Sequence, residues 1–451
     1  MRPNQILTSI VRLWNLALPL IIVNVATPFL GLADAAISGH LEDSFHLAAV
    51  TLGAGLLAIF FGIFSFLRMG TTGLVAQAIG SENQPYAVQI LFHATLLAIG
   101  FGCLVLIVGP QAVGPILAIA NPSASITQPL NEYLKIRLWA APASLMLFVL
   151  TGWFIGQGLT RISLYLAIGT NLINIALNYS LAIGLELNSL GIALGTSISE
   201  YLGVILGLGF LFHQLSGKII KELIQVKATV FVRLFKVNAP LMVRTIALQT
   251  VFVMLSIYAA RLGTVEASAL GLLLVLLATA AFGLDGFAYA CEIEAGQSLG
   301  HKNYKRLKNS LIAGLILTTV TTLMLIVFFR IWHTAIFALL TDFVDVLQLT
   351  NKLSSWFTWM LLALCWSYWL DGIFIGLTRT LDMCITMCFA LASGWLGGLW
   401  IFGIDSLDAL MAAFIVFAVV RTASLGSRLP FVIRKIRRLM SQKHSQTCEP
   451  V

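Results

Sequence analysis

Long apolar windows almost free of charge run through the whole chain, and no other feature constrains it more. Residues 94–108, 140–155, 202–212 and 311–329 each sit inside such a window. A helix needs roughly 20 apolar residues to cross a hydrocarbon core of about 30 Å. Several windows exceed that length, so tilted or kinked helices are expected. An outer-membrane barrel would instead show alternating segments of about 10 residues. Composition agrees: 59% of the 451 residues are hydrophobic and 10% charged, whereas soluble domains carry about 25% charge.

The windows resolve into spans at 12–38, 45–79, 86–109, 127–156, 162–184, 189–213, 229–260, 267–299, 305–331, 352–378, 382–402 and 406–428. The first apolar run begins near Leu13 and continues without a small-residue cleavage site, so it reads as a span and not as a cleaved signal. With the N-terminus in the cytoplasm, Arg2, Arg12, Arg161, Lys218, Lys221, Lys227, Arg233, Lys236, Lys302, Lys305, Arg306, Lys308 and Arg379 fall on the inner side. The basic tail joins them through Arg434, Lys435, Arg437, Arg438 and Lys443. The outer side keeps Arg261, Arg330 and Lys352 and collects Glu42, Asp43, Glu186, Asp342, Asp345, Asp405 and Asp408. That asymmetry places both termini in the cytoplasm of an inner or plasma membrane. The net charge of +8 is a topology signal, and the tail is expected to lie against anionic lipid with no nucleic-acid partner. Five of the cysteines lie in spans and Cys448 in the tail, so no disulfide framework is implied. Cys384 and Cys388 lack the further ligands that zinc requires.

The chain also repeats itself. L-A-L-P-L-I-I around Pro19 matches V-N-A-P-L-M-V around Pro240. Q-A-I-G-S-E-N (77–83) matches Q-S-L-G-H-K-N (297–303), and F-I-G-Q-G-L-T-R (154–161) matches F-I-G-L-T-R (374–379). The fold expected is an all-α integral membrane protein of twelve transmembrane helices in two pseudo-symmetric six-helix lobes. Its divisions are 1–213, a cytoplasmic linker 214–228, 229–428 and a basic tail 429–451. Parallel repeats of this kind recur in secondary transporters, with the substrate site between the halves.

Ionisable groups inside spans mark pathways by default. Asp34 in the first span has no basic neighbour close by in its own helix. A carboxylate in such a site can be neutral at one stage of a cycle and charged at another, which makes it a candidate proton carrier or cation ligand. Pro19 and Pro28 in the same helix each remove a backbone hydrogen bond and favour a bend. Asn171, Asn174 and Asn178 in the fifth span and Thr196 in the sixth offer neutral groups, Asn174 and Asn178 one turn apart on one face. Arg68, Lys135, Arg137, Glu200, Arg244, Asp285, Glu292, Glu294 and Asp371 are the other charges well inside spans. Pairing inside the bundle is the reading for Arg68, Arg137 and Glu200. Asp285 and Asp371, within Gly-containing turns of the eighth and tenth spans, look more site-like. Arg421 and Arg428 are expected to snorkel to the interface, and His93 to be a hydrogen-bonded bundle residue. No G-x-S-x-G elbow, H-E-x-x-H or phosphate loop appears, so no enzyme, metal or cofactor is expected. An ATP-driven pump would need a soluble nucleotide-binding domain.

Five segments resemble the multidrug and toxic compound extrusion (MATE) transporters, most of all their DinF-like subfamily: G-L-A-D-A-A-I-S-G-H-L (31–41), R-M-G-T-T-G-L-V-A-Q-A (68–78), G-I-A-L-G-T-S-I-S-E-Y (191–201), L-D-G-F-A-Y-A-C-E (284–292) and L-D-G-I-F-I-G-L-T-R (370–379). The resemblance implies a central cavity and alternating access. It further implies export of small-molecule drugs and toxic organic cations against an inward proton gradient, alternatively a sodium gradient; a monomer is expected. Carried over by motif, Asp34 would be the protonation site, with Asn174, Asn178 and Thr196 beside it. Asp285, Glu292 and Asp371 would be counterparts in the second lobe. Relatives often have Asp where this chain has Asn178, so a second carboxylate is missing from the first site. The runner-up, a lipid-linked saccharide flippase of the same superfamily, would need a cationic cavity drawing on Arg68, Lys135, Arg137 and Arg244.

Overall fold

The computed structural model describes residues 3–41, 43–120, 122–215 and 226–445. Glu42, most of the expected linker with Lys218 and Lys221, and the end of the tail with Cys448 lie outside the described residues.

Among the described residues the regular structure is entirely helical. The long helices are α1 (Pro3–Gly39), α2 (Ser44–Gly80), α3 (Gln84–Ala120), α4 in two arms (Ala124–Trp139 and Ala141–Gln157), α5 (Thr160–Gly184), α6 (Asn188–Gln214), α7 (Ala228–Leu262), α8 (Thr264–Gly300), α9 (Tyr304–Leu340), α10 (Ser354–Gly376), α11 (Thr380–Phe402) and α12 (Leu407–Ser445), with a short helix, Val344–Lys352, between α9 and α10. Eleven are long and apolar enough to cross a membrane singly, and the arms of α4, bent by 49°, complete twelve. The bend falls at Ala140, where Pro142 stands at the start of the second arm. Proline has no N–H, and its ring clashes with the carbonyl four residues back, so a bend is favoured here.

Four helices outrun the apolar windows that announce them: α1, α3, α9 and α12. The case of α12 matters most, since it continues to Ser445. Its last turns keep a buried stripe, Leu425, Val432 and Ile436, at the spacing of one helix face, so the helix persists where mean hydropathy falls.

The repeat in the sequence is a repeat in the backbone. α2 ends with Glu82 in the left-handed region (φ 55°) and α8 with Lys302 (φ 55°). Asn83 then accepts from the Tyr86 N–H at 3.0 Å, and Asn303 from the Arg306 N–H at 2.9 Å, each a side-chain cap of the next helix. α4 closes with Gly158 N–H to Ile155 and Leu159 N–H to Phe154, and α10 with Thr378 N–H to Ile375 and Arg379 N–H to Phe374. This is the paired bonding of a Schellman stop.

Two compact units divide the chain. The N-terminal unit comprises Ile22–Val75 and Asn83–Asn238; the C-terminal unit comprises Met1–Ile21, Ala76–Glu82 and Ala239–Val451. α1 therefore changes unit just after Pro19 and α7 just before Pro240, while α1 stays helical through both Pro19 and Pro28. In the C-terminal unit the core gathers Trp395, Phe357, Phe414, Phe417 and Met360. The ends of α2 and α8 also meet there. A Cβ on Gly80 would strike the Gln297 carbonyl and stand 2.7 Å from its Cα; one on Gly300 would strike the Gln77 carbonyl and stand 2.7 Å from the Ser81 nitrogen. Beside this crossing the Gln77 amide donates to the Gly376 carbonyl at 2.9 Å and the Thr378 hydroxyl at 3.1 Å.

Candidate functional site

In the N-terminal unit α1, α5 and α6 bring Asp34, Asn174, Asn178 and Thr196 into one hydrogen-bonded group. Asn178, fully buried, donates from Nδ2 to Asp34 Oδ1 at 2.8 Å, with Thr196 Oγ1 at 3.1 Å and Asn174 Oδ1 at 3.2 Å sharing the same amide. Asn174, also buried, donates to Ser199 Oγ at 3.2 Å, and the Ser199 hydroxyl is turned to the Thr196 carbonyl at 2.8 Å. The helices come this close because position 195 is glycine: a Cβ there would stand 2.8 Å from the Asn178 backbone nitrogen and strike its side-chain oxygen. Directly after Asn178 the backbone of α5 widens into a π turn, Ser180–Gly184, a feature frequent at functional sites.

Asp34 is half-buried and accepts a side-chain hydrogen bond from a neutral amide. The cation that acts on it is Arg137, from the first arm of α4. That guanidinium has its own counter-ion: Arg137 Nη2 donates to Glu200 Oε1 at 2.7 Å, with Ser197 Oγ at 3.5 Å from Nη1, and Ser144 closes on the other oxygen of Glu200. The pairing expected of Arg137 and Glu200 is thus present. Arg68 is buried in the same unit, whereas Lys135 is exposed on the surface of α4. His93 is a buried, bonded residue as expected: Nδ1 meets the Gln89 carbonyl at 2.7 Å, and Nε2 accepts the Lys227 N–H at 2.9 Å, just ahead of α7.

In the C-terminal unit Asp285 and Asp371 lie within continuous helices. Their neighbouring glycines serve packing: a Cβ on Gly372 would strike the Ala288 backbone. Asp371 Oδ2 accepts from Arg244 on α7 and, at 2.6 Å, from Arg421 on α12. The snorkelling expected of Arg421 is therefore wrong. Because α12 runs on to Ser445, Arg421 sits well inside the helix, 5% exposed, and Asp371 supplies the counter-charge that water would have given. Asp285 is half-buried on α8 and acts electrostatically on Arg244. Glu292 is wholly buried. Glu294 is gripped by Arg306 at 3.0 and 2.7 Å and by the Ser310 hydroxyl at 3.1 Å, with Arg12 of α1 at 3.8 Å.

Sequence reasoning missed Ser199 and the role of Arg421. Ser199 is three residues from Thr196, hence on the same helix face, which was the available signal. For Arg421 it was the apolar stripe continuing past residue 428.

Among the described residues, twelve membrane-length helices in two repeats of six, each with a carboxylate inside the bundle, define a polytopic membrane protein with the architecture of secondary transporters. The MatE family profile matches residues 19–180 and 240–398. The chain belongs to that family, the multidrug and toxic compound extrusion transporters. It is 34% identical over 428 residues to the DNA damage-inducible protein F of Escherichia coli K12, covering 92% of this chain and 91% of that protein. It is 33% identical over 180 residues to the multidrug resistance protein PmpM of Pseudomonas aeruginosa, 40% of this chain and 38% of that one. A crystal structure of a MATE protein in its straight conformation shares the fold, with a TM-score of 0.83 at 17% identity over 98% of this chain and 99% of that one.

Proposed function

We propose that this protein is a secondary active exporter of lipophilic organic cations, driven by an inward proton gradient through alternating access, with Asp34 as the coupling carboxylate. One observation carries the reading: Asp34 is a half-buried acid whose side-chain bond comes from neutral Asn178, while the nearby Arg137 already has Glu200. An acid held this way is free to exchange its charge. Asn178 suits both forms, since its N–H₂ serves the carboxylate and its carbonyl, after a turn of the amide, accepts from the protonated acid. A cation and a proton then compete for one negative group, which is the condition for exchange. Pro19 and Pro28 are the points at which α1 would change its bend. The multidrug resistance named for the Pseudomonas relative supports the substrate class. A flippase is not favoured: matched relatives are named for multidrug resistance and export, and of the four cations it would draw on, Arg137 is paired with Glu200 and Lys135 is exposed on the surface of α4.

The test is Asp34→Asn expressed in a drug-sensitive host. Resistance to cationic dyes and drugs should vanish while the membrane-inserted amount stays at the wild-type level, because the change removes a titration and keeps the shape. Export at the wild-type rate would refute the coupling role. The distribution of Lys and Arg supports an orientation with both termini in the cytoplasm. A single cysteine at Met440 should label only from that side, and labelling from outside would overturn the orientation.

A further inference from the structure

The C-terminal unit holds a cluster that the coupling reading leaves unused. Arg244, Arg421 and Asp371 come from α7, α12 and α10 and are 5%, 5% and 9% exposed. Both arginines donate through Nη2 to a single atom, Asp371 Oδ2. A guanidinium grips two oxygens side by side along the edge formed by Nε and Nη2. Here the Nη2 group of each edge is spent on the shared oxygen. The Nε of Arg244 and the Nε of Arg421 are buried with no acceptor among the described residues. Two N–H donors on the edges that already face an acid thus call for further acceptor oxygens.

Charge points the same way. Two guanidinium groups against one carboxylate leave the trio with one positive charge in excess, and the two arginines repel each other. Asp285 offsets this from the side, half-buried on α8, and the phenol of Tyr368, on α10, lies in the field of all four charges. A ligand carboxylate would bring two oxygens for the two unused donors, and its charge would face two guanidinium groups directly while Asp285 acts from the side. A cation would meet two arginines first.

We propose that Arg244 and Arg421 form a binding site for the carboxylate of an amphipathic acid, so that the exporter takes such acids as well as cations. This rests on the exporter reading for its purpose, but the binding is measured without transport. The full chain in lipid nanodiscs is offered three probes of one shape, 2-naphthoate, 2-naphthol and 2-naphthylmethylammonium, and binding is followed by equilibrium dialysis. Naphthoate should bind saturably and more tightly than naphthol. Arg421→Gln should weaken naphthoate about tenfold, the size of a lost charge-assisted bond, and change the ammonium probe less than about twofold. Asp371→Asn keeps the shape, removes the competing anion and should strengthen naphthoate; a variant that merely misfolds cannot do that. Naphthoate no tighter than naphthol, equal losses for all three probes in Arg421→Gln, or a weakening in Asp371→Asn would each overturn the site. Loss of dye export in Asp34→Asn cells tests the exporter reading separately and leaves these affinities untouched.

Discussion

Arg137 is where the electrostatics of the N-terminal unit is decided. Its side chain is 10% exposed and that of Glu200 17%, so neither charge has water enough to stand alone. Removing one partner of a buried pair strands the other and costs about 3–5 kcal/mol, whereas removing both costs far less. Arg137→Ala should therefore lower the melting temperature of the purified protein, and adding Glu200→Gln should restore most of it. A double variant no more stable than the single one would show that the pair is not the source. Asp34, Asn174, Asn178 and Thr196 were legible in the sequence because each is a polar group in an apolar window, where lone polarity is costly. Ser199 was not, since serine is common in membrane helices and satisfies itself on its own backbone. Nor was Arg421, whose type and place near the end of an apolar window fitted an interfacial residue equally well.

Among the elements, the crossing of α2 and α8 in the C-terminal unit is an exacting contact. Without a hydrophobic drive between helices in lipid, small residues and close backbones hold them together. Gly80 and Gly300 face backbone atoms of the opposite helix, which cannot move aside as a side-chain end can. Gly300→Val should push the helix ends apart, lower thermal stability and strip export from cells, while Gly100→Val, with open space at its Cβ, should do neither. Equal behaviour of the two variants in a melting experiment would refute the packing argument. Existence and order of the spans were readable, since length and apolarity alone specify them. The bend of α4 and the length of α12 were not. One comes from Pro142 within an unbroken apolar run, the other from an amphipathic stripe that a hydropathy window averages away.

At the scale of the whole molecule, the 220-residue repeat predicts matched helix stops, and the backbone delivers them at Glu82 and Lys302 and at Gly158 and Thr378. The two repeats nevertheless carry unlike chemistry. In the N-terminal unit one acid is bonded by a neutral amide; in the C-terminal unit an acid is locked between two arginines. In the proposed mechanism the driving ion acts on the first. Sodium needs several oxygens whose negative charge replaces its hydration, and around Asp34 the remaining groups are the neutral Asn174, Asn178 and Thr196, already bonded to one another. A proton needs the carboxylate alone. One proton exchanged for one monovalent cation moves no net charge, so a pH gradient by itself should drive export, and each further proton would add about 2.3 kcal/mol per 100 mV of membrane potential. In proteoliposomes loaded with a cationic dye, an imposed pH gradient without sodium should drive dye movement, and the Asp34→Asn protein should show none. Movement driven by a sodium gradient at constant pH, and indifferent to a proton gradient, would refute proton coupling and require water and backbone carbonyls to complete a sodium site around Asp34.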